Sequence, residues 1–426
     1  MTKYQLKLTQ RQLDTVGDKI AANGGDCRVA FTYGNGFYIW PDGEKQVSYY
    51  ICGDSEEVLL PGLKGANDKI CLFTTKSLQL DATESCVWVV INDGRIDAYR
   101  AVSGDWVPFD SVTIVGHSVH IIERETTGDN AQKGISNGQM FGRGTVSSLS
   151  KMTIGVAGAS GTGSIVCELL YRLGVGRLVV VDNDVIEERN LNRILNSKAS
   201  DASNHVKKVD MLSEAFRLIG LNTKVVPIDS LILSRKAVKA LSQCDFIFGC
   251  LDSVDGRSQL NRISTYYCIP YIDLGVGLRA NKQGGIASIG GEVRYVIPGE
   301  SSLLTRGTYT QADITAASIS RSNPDNLKQL IADKYIKDAN EESPAVISVN
   351  MTVASMGVND MLARIHDYRH TSGGEENSTI EGIDISISGP YMCSKPPTGR
   401  DDSLIPQLGK GDCDPLLGIF SLGEVK

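Results

Sequence analysis

The feature that most constrains the fold is an apolar strand that runs directly into a glycine-rich loop and then a helix. Residues 152–158 (MTIGVAG) have the pattern of a buried strand, and SIVCELLYRLG (164–174) follows at helical spacing. Gly158, Gly161 and Gly163 lie at the junction. Glycines here let the backbone turn tightly and approach a phosphate, while the helix N-terminus offers free N–H donors. The loop therefore predicts a nucleotide site, without selecting the nucleotide.

The alternation of strands and helices continues beyond this unit. Apolar runs typical of strands recur at 178–182, 224–228, 245–250 and 271–275, with helical patterns at 209–220, 235–243 and 257–268. Strands joined by crossover helices are typical of a mostly parallel, doubly wound α/β sheet of the Rossmann-like type. We therefore expect this fold class, preceded by an N-terminal α+β domain.

Residue composition and hydrophobic pattern divide the chain into four segments. Residues 1–125 carry short β-like runs at 29–33, 36–40, 69–73, 86–91 and 111–115, after a polar N-terminus with a helical pattern. Residues 126–146 are expected to be a linker and lead-in helix, 147–370 the α/β domain, and 371–426 a loop-rich tail with at most two short strands. Since residues 1–125 contain no catalytic constellation, we expect them to serve partner recognition or dimerisation.

Composition excludes several classes of protein. The net charge of −7 does not favour nucleic acid as a partner, although it leaves room for a local basic patch, and no run reaches the roughly 18 apolar residues of a membrane span. The N-terminus lacks the apolar region of a signal peptide. Ten cysteines without a CxxC pair suggest reduced thiols in a cytoplasmic protein. His117 and His120 lie in an apolar strand-like run and are interpreted as packing residues.

The residues after the second strand select between nucleotides. Asp182 ends that strand, where a carboxylate can hydrogen-bond a ribose in either a nicotinamide or an ATP site. The run that begins there, DNDVIEERNLNR (182–193), resembles the D-x-D-x-V-x-x-x-N-L-x-R signature of the ThiF/MoeB/ubiquitin-activating superfamily. The resemblance implies that Asp184, Asn190 and Arg193 belong to an ATP site, with Asn190 and Arg193 reaching the phosphates.

Two later motifs extend the resemblance, which covers roughly 135–370. Lys208 in HVKKV (205–209) matches the superfamily's phosphate-contacting lysine, with His205 in place of the usual glycine. In the block 244–261, Asp252 matches the acid that coordinates Mg²⁺ by its spacing to Arg257, and Asp255 is the rival candidate. Residues 343–357 match the closing helix of the domain.

The resemblance implies a defined chemistry. ATP and Mg²⁺ would be used to adenylate the C-terminal carboxylate of a ubiquitin-like or sulfur-carrier protein ending in glycine. Arg193 and Lys208 would stabilise charge on the phosphates, and Asp252 would hold the metal. No general base is needed, because a carboxylate is already ionised. The resemblance also implies a homodimer.

The chain departs from the superfamily in three places. Ser302 and Thr305 stand where many relatives carry the first cysteine pair of a zinc site, so we expect no zinc. Residues 301–345 contain no cysteine, which leaves Cys393 and Cys413 as candidate nucleophiles if a thioester forms. Arg143 is the only arginine where relatives often have an Arg-Gln pair that reaches a neighbouring subunit.

Other functions stay open at this point. The adenylated carboxylate could belong to a peptide or a small molecule instead of a carrier protein. A Rossmann dehydrogenase is disfavoured by Asn190, Arg193, Lys208 and Asp252, and a non-catalytic nucleotide-binding scaffold is disfavoured by the same intact set of charges.

Overall fold

An eight-stranded sheet organises the larger part of the chain. In the computed structural model, the described residues are 4–22, 28–33, 38–40, 47–52, 70–74, 86–92, 95–124, 148–281, 285–322, 346–369, 380–412 and 415–422. The strands of this sheet are β11 (Thr153–Ala157), β12 (Arg177–Asp182), β13 (Lys224–Asp229), β14 (Phe246–Gly249), β15 (Tyr271–Ala280), β16 (Ile286–Val296), β17 (Gly382–Ser386) and β18 (Tyr391–Lys395).

The order of these strands is β13-β12-β11-β14-β15-β16-β17-β18. The first five are parallel, and the last three add antiparallel pairs at one side. The order reverses at β11, where neighbouring crossovers run in opposite directions, and such a switch point opens a crevice at the carboxyl ends of the strands. The expected doubly wound, mostly parallel sheet is confirmed.

Helices cover both faces of the sheet. They are α2 (Gly161–Leu173), α3 (Ala199–Ser203), α4 (Lys208–Ile219), α5 (Arg235–Leu241), α6 (Val254–Tyr267), α7 (Gln311–Ser322) and α8 (Ile347–His366). On β12, Leu178 and Val180 join the core that includes α2, α4 and α8, whereas Val179 and Val181 join the core that includes α5 and α6. This two-residue alternation shows why a continuous apolar run forms a strand buried on both faces.

The described residues of the N-terminal part form two smaller sheets and one helix. Its elements are β1 (Gln5–Thr9), α1 (Gln10–Ala22), β2 (Arg28–Tyr33), β3 (Tyr38–Trp40), β4 (Val47–Cys52), β5 (Ile70–Thr74), β6 (Cys86–Asn92), β7 (Arg95–Val102), β8 (Asp105–Pro108), β9 (Ser111–Val115) and β10 (Val119–Glu123). One sheet has the order β10-β9-β1-β3 and the other β4-β2-β5-β6-β7-β8.

The helical pattern expected for the N-terminus is correct only from Gln10 onward. Residues 5–9 form β1, which pairs with β9 in parallel and with β3 antiparallel. Leu6 and Leu8 are fully buried, and Lys7 between them is buried as well. Residues 5–9 (QLKLT) alternate between polar and apolar, as in a strand with one polar face, but here the polar face is covered too, and Lys7 on it is buried.

The N-terminal sheet packs directly on the α/β domain. Lys7 Nζ donates to the carbonyl of Cys244 at 2.5 Å, and Gln5 Nε2 donates to Asp245 Oδ1 at 2.8 Å. On the other side of the junction, Tyr295 Oη donates to the carbonyl of Gly116 at 2.7 Å. Polar groups of β1 and of the β9–β10 turn are therefore hydrogen-bonded to the core of the neighbouring unit.

Among its described residues, the segment 371–426 contains two short strands, the largest number that the sequence predicts. These strands do not form a separate tail but extend the large sheet. β17 pairs with β16, and β18 pairs with β17 and ends the sheet. Tyr267 Oη also donates to Asp412 Oδ1 at 2.5 Å, which ties the following loop to α6. Within the described residues, no helix is both long and apolar enough to cross a membrane.

Candidate active site

The glycine loop is folded tightly at the end of β11. Gly158 has a φ of +92°, and a Cβ on it would lie 2.5 Å from the carbonyl oxygen of Cys250. A Cβ on Gly163 would overlap the carbonyl oxygen of Gly158. Both positions therefore exclude larger residues, the first by its left-handed backbone and the second by close approach. α2 begins at Gly161, so its free N–H groups point toward the space above the loop.

Asp182, the last residue of β12, is hydrogen-bonded to this loop. Its Oδ2 accepts a hydrogen bond from the Ala159 N–H at 2.7 Å, and its Oδ1 accepts one from the Asp184 N–H at 2.8 Å. Burial raises the pKa of this carboxyl, whereas Lys208 and the two backbone donors act in the opposite direction. An ionised carboxylate has about four lone-pair sites, so acceptor capacity remains for the hydroxyls of a sugar.

Lys208 and Asp184 form an ion pair beside the loop. Lys208 Nζ lies 2.7 Å from Asp184 Oδ2, and the Lys208 N–H donates to the Asp184 carbonyl at 3.0 Å. The lysine is only 5% exposed and is the first residue of α4, whereas the aspartate side chain is open to solvent. His205, which replaces the usual glycine, adopts a φ of +49° in the turn before α4. His205 thus adopts the left-handed conformation that glycine adopts most easily, at some backbone cost.

Asn190 and Arg193 follow in a short 3₁₀ segment, Glu188–Asn190, and the turn after it. Asn190 is buried, and its Oδ1 accepts a hydrogen bond from the Glu187 N–H at 3.1 Å, so its side chain shapes this segment. Arg193 Nη1 donates to the Arg189 carbonyl at 2.7 Å. A Cβ on Gly161 would lie 3.4 Å from Arg193 Cδ, which places the arginine side chain against the start of α2.

A pocket of about 330 Å³ lies among these residues. It is lined by Asn183, Asp184, Val185, Glu187, Arg189, Asn190 and Lys208. The structure thus brings Asp184, Asn190 and Lys208 to one cavity, and it brings Arg193 to Gly161 and Asp182 to the glycine loop.

Asp252 and Asp255 lie in different surroundings after β14. Asp252 is exposed, and it makes no hydrogen bond or ion pair with any other described side chain. Asp255 is buried near the start of α6, where its Oδ1 accepts from the Gly256 N–H at 2.9 Å and its Oδ2 lies 2.6 Å from Arg321 Nη1. Among the described residues, no three acidic, histidine or cysteine side chains converge as a metal cluster.

The sequence did not point to Asn350 of α8. This residue is 3% exposed, and its Nδ2 would collide with a Cβ on Gly161. The stretch 345–358 contains other polar residues, so it gave no signal that singles out Asn350.

The sequence named Arg257 as part of a motif but not its partner. Its Nε lies 3.0 Å from both carboxylate oxygens of the fully buried Asp273, which also accepts a hydrogen bond from Tyr271 Oη at 2.5 Å.

The remaining candidates lie elsewhere. Ser302 Oγ donates to Asp401 Oδ2 at 2.5 Å, and the Ser302 N–H donates to Thr305 Oγ1 at 2.9 Å. Cys393 is exposed on β18. Arg143 and Cys413 lie outside the described residues.

The interpretation of the two histidines as packing residues is correct for only one of them. His117 is half-buried in the β9–β10 turn against α8, and its carbonyl accepts a hydrogen bond from Arg364 at 2.8 Å. His120 is exposed on β10, because the alternation of this edge strand turns it to solvent.

Comparisons with known proteins agree with the sequence motifs. Ubiquitin-like modifier-activating enzyme 5 of Drosophila persimilis is 21% identical over 159 residues, covering 35% of this chain and 39% of that protein. The Dictyostelium discoideum protein of the same name is 24% identical over 160 residues, covering 35% and 40%. The chain thus spans about two fifths of the length of these curated relatives.

Solved structures resemble the fold more distantly. The complex of Escherichia coli MccB with ATP is 18% identical, with a TM-score of 0.45, covering 61% of this chain and 67% of that one. PaaA is 13% identical, with a TM-score of 0.43, covering 65% and 88%. Residues 135–385, more than half of the chain, match the model of the ThiF family. The chain therefore belongs to the ThiF family.

Proposed function

We propose that this chain uses Mg-ATP to adenylate the C-terminal carboxylate of a ubiquitin-like or sulfur-carrier protein. The observation that carries the proposal is the placement of two cations around the glycine loop. Arg193 lies against Gly161 at the start of α2, and Lys208, paired with Asp184, acts on the carboxylate of Asp182, which accepts a hydrogen bond from the loop. Cations in such places and a helix N-terminus suit the phosphates of a nucleotide. Membership of the ThiF family and the similarity to ubiquitin-like modifier-activating enzymes support the same activity.

The residues present fit ATP. The glycine loop leads into α2 at Gly161, whose N-terminal N–H groups suit a phosphate, and Asp182 retains acceptor capacity for the ribose hydroxyls. Asp184 and Asn190 line the adjoining pocket with Lys208. We assign Arg193 and Lys208 to the phosphates, because each is held by a backbone or side-chain oxygen in a fixed place.

The proposed reaction is an in-line substitution at the α-phosphorus. A carboxylate oxygen of the carrier forms a bond to this phosphorus, and the bond to the bridging oxygen of pyrophosphate breaks. The products are an acyl-adenylate and pyrophosphate. Arg193 and Lys208 neutralise the negative charge that develops on the phosphate oxygens, and their fixed positions avoid reorganisation during the step.

Asp252 is the residue we assign to Mg²⁺. Magnesium is usually held by one or two carboxylates plus the phosphates of the substrate, so a single free carboxylate fits. When bound, the ion would supply charge neutralisation and orientation of the phosphates. Asp255 is the poorer candidate, because its carboxylate is already buried against Arg321.

The test is ATP–pyrophosphate exchange with Mg²⁺, with and without candidate carrier proteins that end in glycine. We expect exchange that depends on one such carrier and falls at least about a hundredfold in Asp252→Asn, since metal stabilisation is a matter of several kcal/mol. Asp255→Asn is the matched control. It should retain exchange and lower the melting temperature, because it breaks the pair with Arg321.

Two results would contradict the proposal. Exchange with a short peptide or a small carboxylate, and with no carrier protein, would move the substrate to that class. ATP binding without exchange for any carboxylate would indicate a non-catalytic scaffold.

We also propose that the protein is a homodimer, as the family resemblance implies. Light scattering coupled to size-exclusion chromatography should give about twice the chain mass of 46.0 kDa. A monomeric mass at the concentrations used for exchange would contradict this part of the proposal.

A further inference from the structure

Asn350 is a nearly buried polar residue on α8. It is 3% exposed, and within the described part of the chain its amide makes no hydrogen bond. Neither amide atom is among the fully buried side-chain atoms that lack a partner, so a narrow opening still reaches the amide. A polar group in such a place calls for an explanation. The neighbours Val349 and Val353 are buried and apolar, so packing of α8 does not require an amide at 350.

The direction of the amide identifies what it faces. A Cβ on Gly161 would collide with Asn350 Nδ2 and would lie 3.4 Å from Arg193 Cδ. The amide therefore lies against the first residue of α2 and beside the arginine assigned to the phosphates. α8 packs on α2 here, so the two helices hold the amide at the edge of the glycine loop.

We propose that the Asn350 side-chain amide donates a hydrogen bond to a phosphate oxygen of the bound nucleotide at the N-terminus of α2. This inference rests on the proposed function, since it takes ATP as the ligand of the glycine loop. A neutral donor suits the position, because it adds a hydrogen bond to the phosphate without placing a second positive charge beside Arg193. An aspartate of nearly equal size would instead turn a carboxylate toward the phosphate.

The experiment measures equilibrium binding of ATP and of adenosine to the wild type and three variants. For Asn350→Ala we expect about tenfold weaker ATP binding, as for the loss of one hydrogen bond to a charged group. For Asn350→Asp we expect a larger loss, because like charges then meet. Adenosine binding should change in neither variant, since adenosine has no phosphate. Asn359→Asp, the same change at an exposed position of α8, should bind ATP like the wild type.

Melting temperatures without ligand separate a packing effect from a binding effect. Equal losses of ATP and adenosine affinity in Asn350→Ala, or wild-type ATP affinity in both Asn350 variants, would overturn the inference. If Asn350→Asp fails to fold, the Ala variant alone decides by its ATP and adenosine affinities. If the wild type binds no ATP, the proposed function itself is refuted. If the wild type binds ATP and both Asn350 variants bind it equally well, only the inference about Asn350 is refuted.

Discussion

At the scale of single residues, two neighbouring lysines have different surroundings. Lys208 is buried and lines the pocket, paired with Asp184 at 2.7 Å. Lys207 is partly exposed, and its Nζ lies 3.1 Å from Asp229 Oδ1 and donates to the Asn183 carbonyl at 2.7 Å. Adjacent positions at a helix start diverge in direction, so only the Lys208 side chain lines the pocket, whereas Lys207 is held by a backbone carbonyl and an exposed carboxylate.

We predict that Lys208→Met lowers carrier-dependent ATP–pyrophosphate exchange by roughly ten- to a hundredfold, the loss of one charge-assisted contact. Lys207→Met is the matched control and should change exchange less than about threefold, because exposed ion pairs contribute about 0–1 kcal/mol. Rates of ATP–pyrophosphate exchange, measured at saturating and at low ATP, would show this loss. Similar losses in both variants would argue against the assignment of Lys208 to the phosphates.

At the scale of elements, the order of strands in the sheet determines the distance between Cys393 and the glycine loop after β11. One row of paired residues crosses it from β11 to β18, namely Ala157, Gly249, Asp273, Arg294, Gly382 and Lys395. Cys393 lies on β18, two residues before the end of that row and five strands from β11. At about 4.8 Å per strand, the separation across the sheet is roughly 24 Å, whereas reacting atoms must approach to about 3–3.5 Å.

We therefore predict that Cys393→Ser leaves ATP–pyrophosphate exchange within about twofold of the wild type. In the native wild type, Cys393 should nevertheless react with iodoacetamide before Cys167, Cys244, Cys250 and Cys268, as mapped by mass spectrometry, because it is the exposed one among these described cysteines. Cys268 is the internal control, since burial raises its pKa to about 12. Loss of exchange in Cys393→Ser would show that this strand takes part in adenylation.

At the scale of the whole molecule, buried polar contacts join the N-terminal sheet to the α/β domain. Lys7 is fully buried, and desolvation lowers its pKa although Asp245 acts against this. On the other side, the completely buried Arg364 donates to the carbonyl of His117 at 2.8 Å. Val119 of β10 also belongs to the hydrophobic core formed with α2, α4 and α8. Separating the two units would expose this shared apolar surface and break the buried hydrogen bonds, so we expect them to unfold together.

His117 at this junction gives the molecule a predictable dependence on pH. Desolvation lowers its pKa below the ordinary 6.5, with Glu381 and Glu300 raising it and Arg364 and Arg306 lowering it. Within the described residues its Nδ1 is buried without a hydrogen-bond partner. The unfolded chain therefore takes up the proton at a higher pH than the folded chain, and stability present above pH 6.5 is lost as the pH falls through the folded pKa.

We predict that the free energy of unfolding falls less between pH 7.5 and 5 in His117→Gln than in the wild type. Urea unfolding at several pH values measures this difference. His120→Gln, at an exposed position of β10, should keep the wild-type dependence. If the free energy of unfolding of His117→Gln depends on pH as steeply as that of the wild type, protonation of His117 does not contribute to the loss of stability. His366, whose pKa is also lowered by burial, is present in every variant and cancels in the comparison.

Local patterns sufficed for the order of strands and helices from β11 to β15. Apolar runs and glycine spacing are properties of neighbouring residues, so the doubly wound sheet and the glycine loop could be predicted from the sequence. The family resemblance supplied Asp184, Asn190 and Lys208 as site residues, together with the chemistry of ATP. β1 was not predicted, because five residues that alternate between polar and apolar directly before the helix α1 are a short signal.

Contacts between distant parts of the chain were decided only by the tertiary structure. The pairing of Asn350 with Gly161, of Asp255 with Arg321, and of β17 with β16 joins segments that no local periodicity relates. The choice between Asp252 and Asp255 likewise depends on which carboxylate a distant arginine occupies. The physical reason is that such contacts arise from packing of complete elements, whereas sequence patterns report only which face of each element is buried.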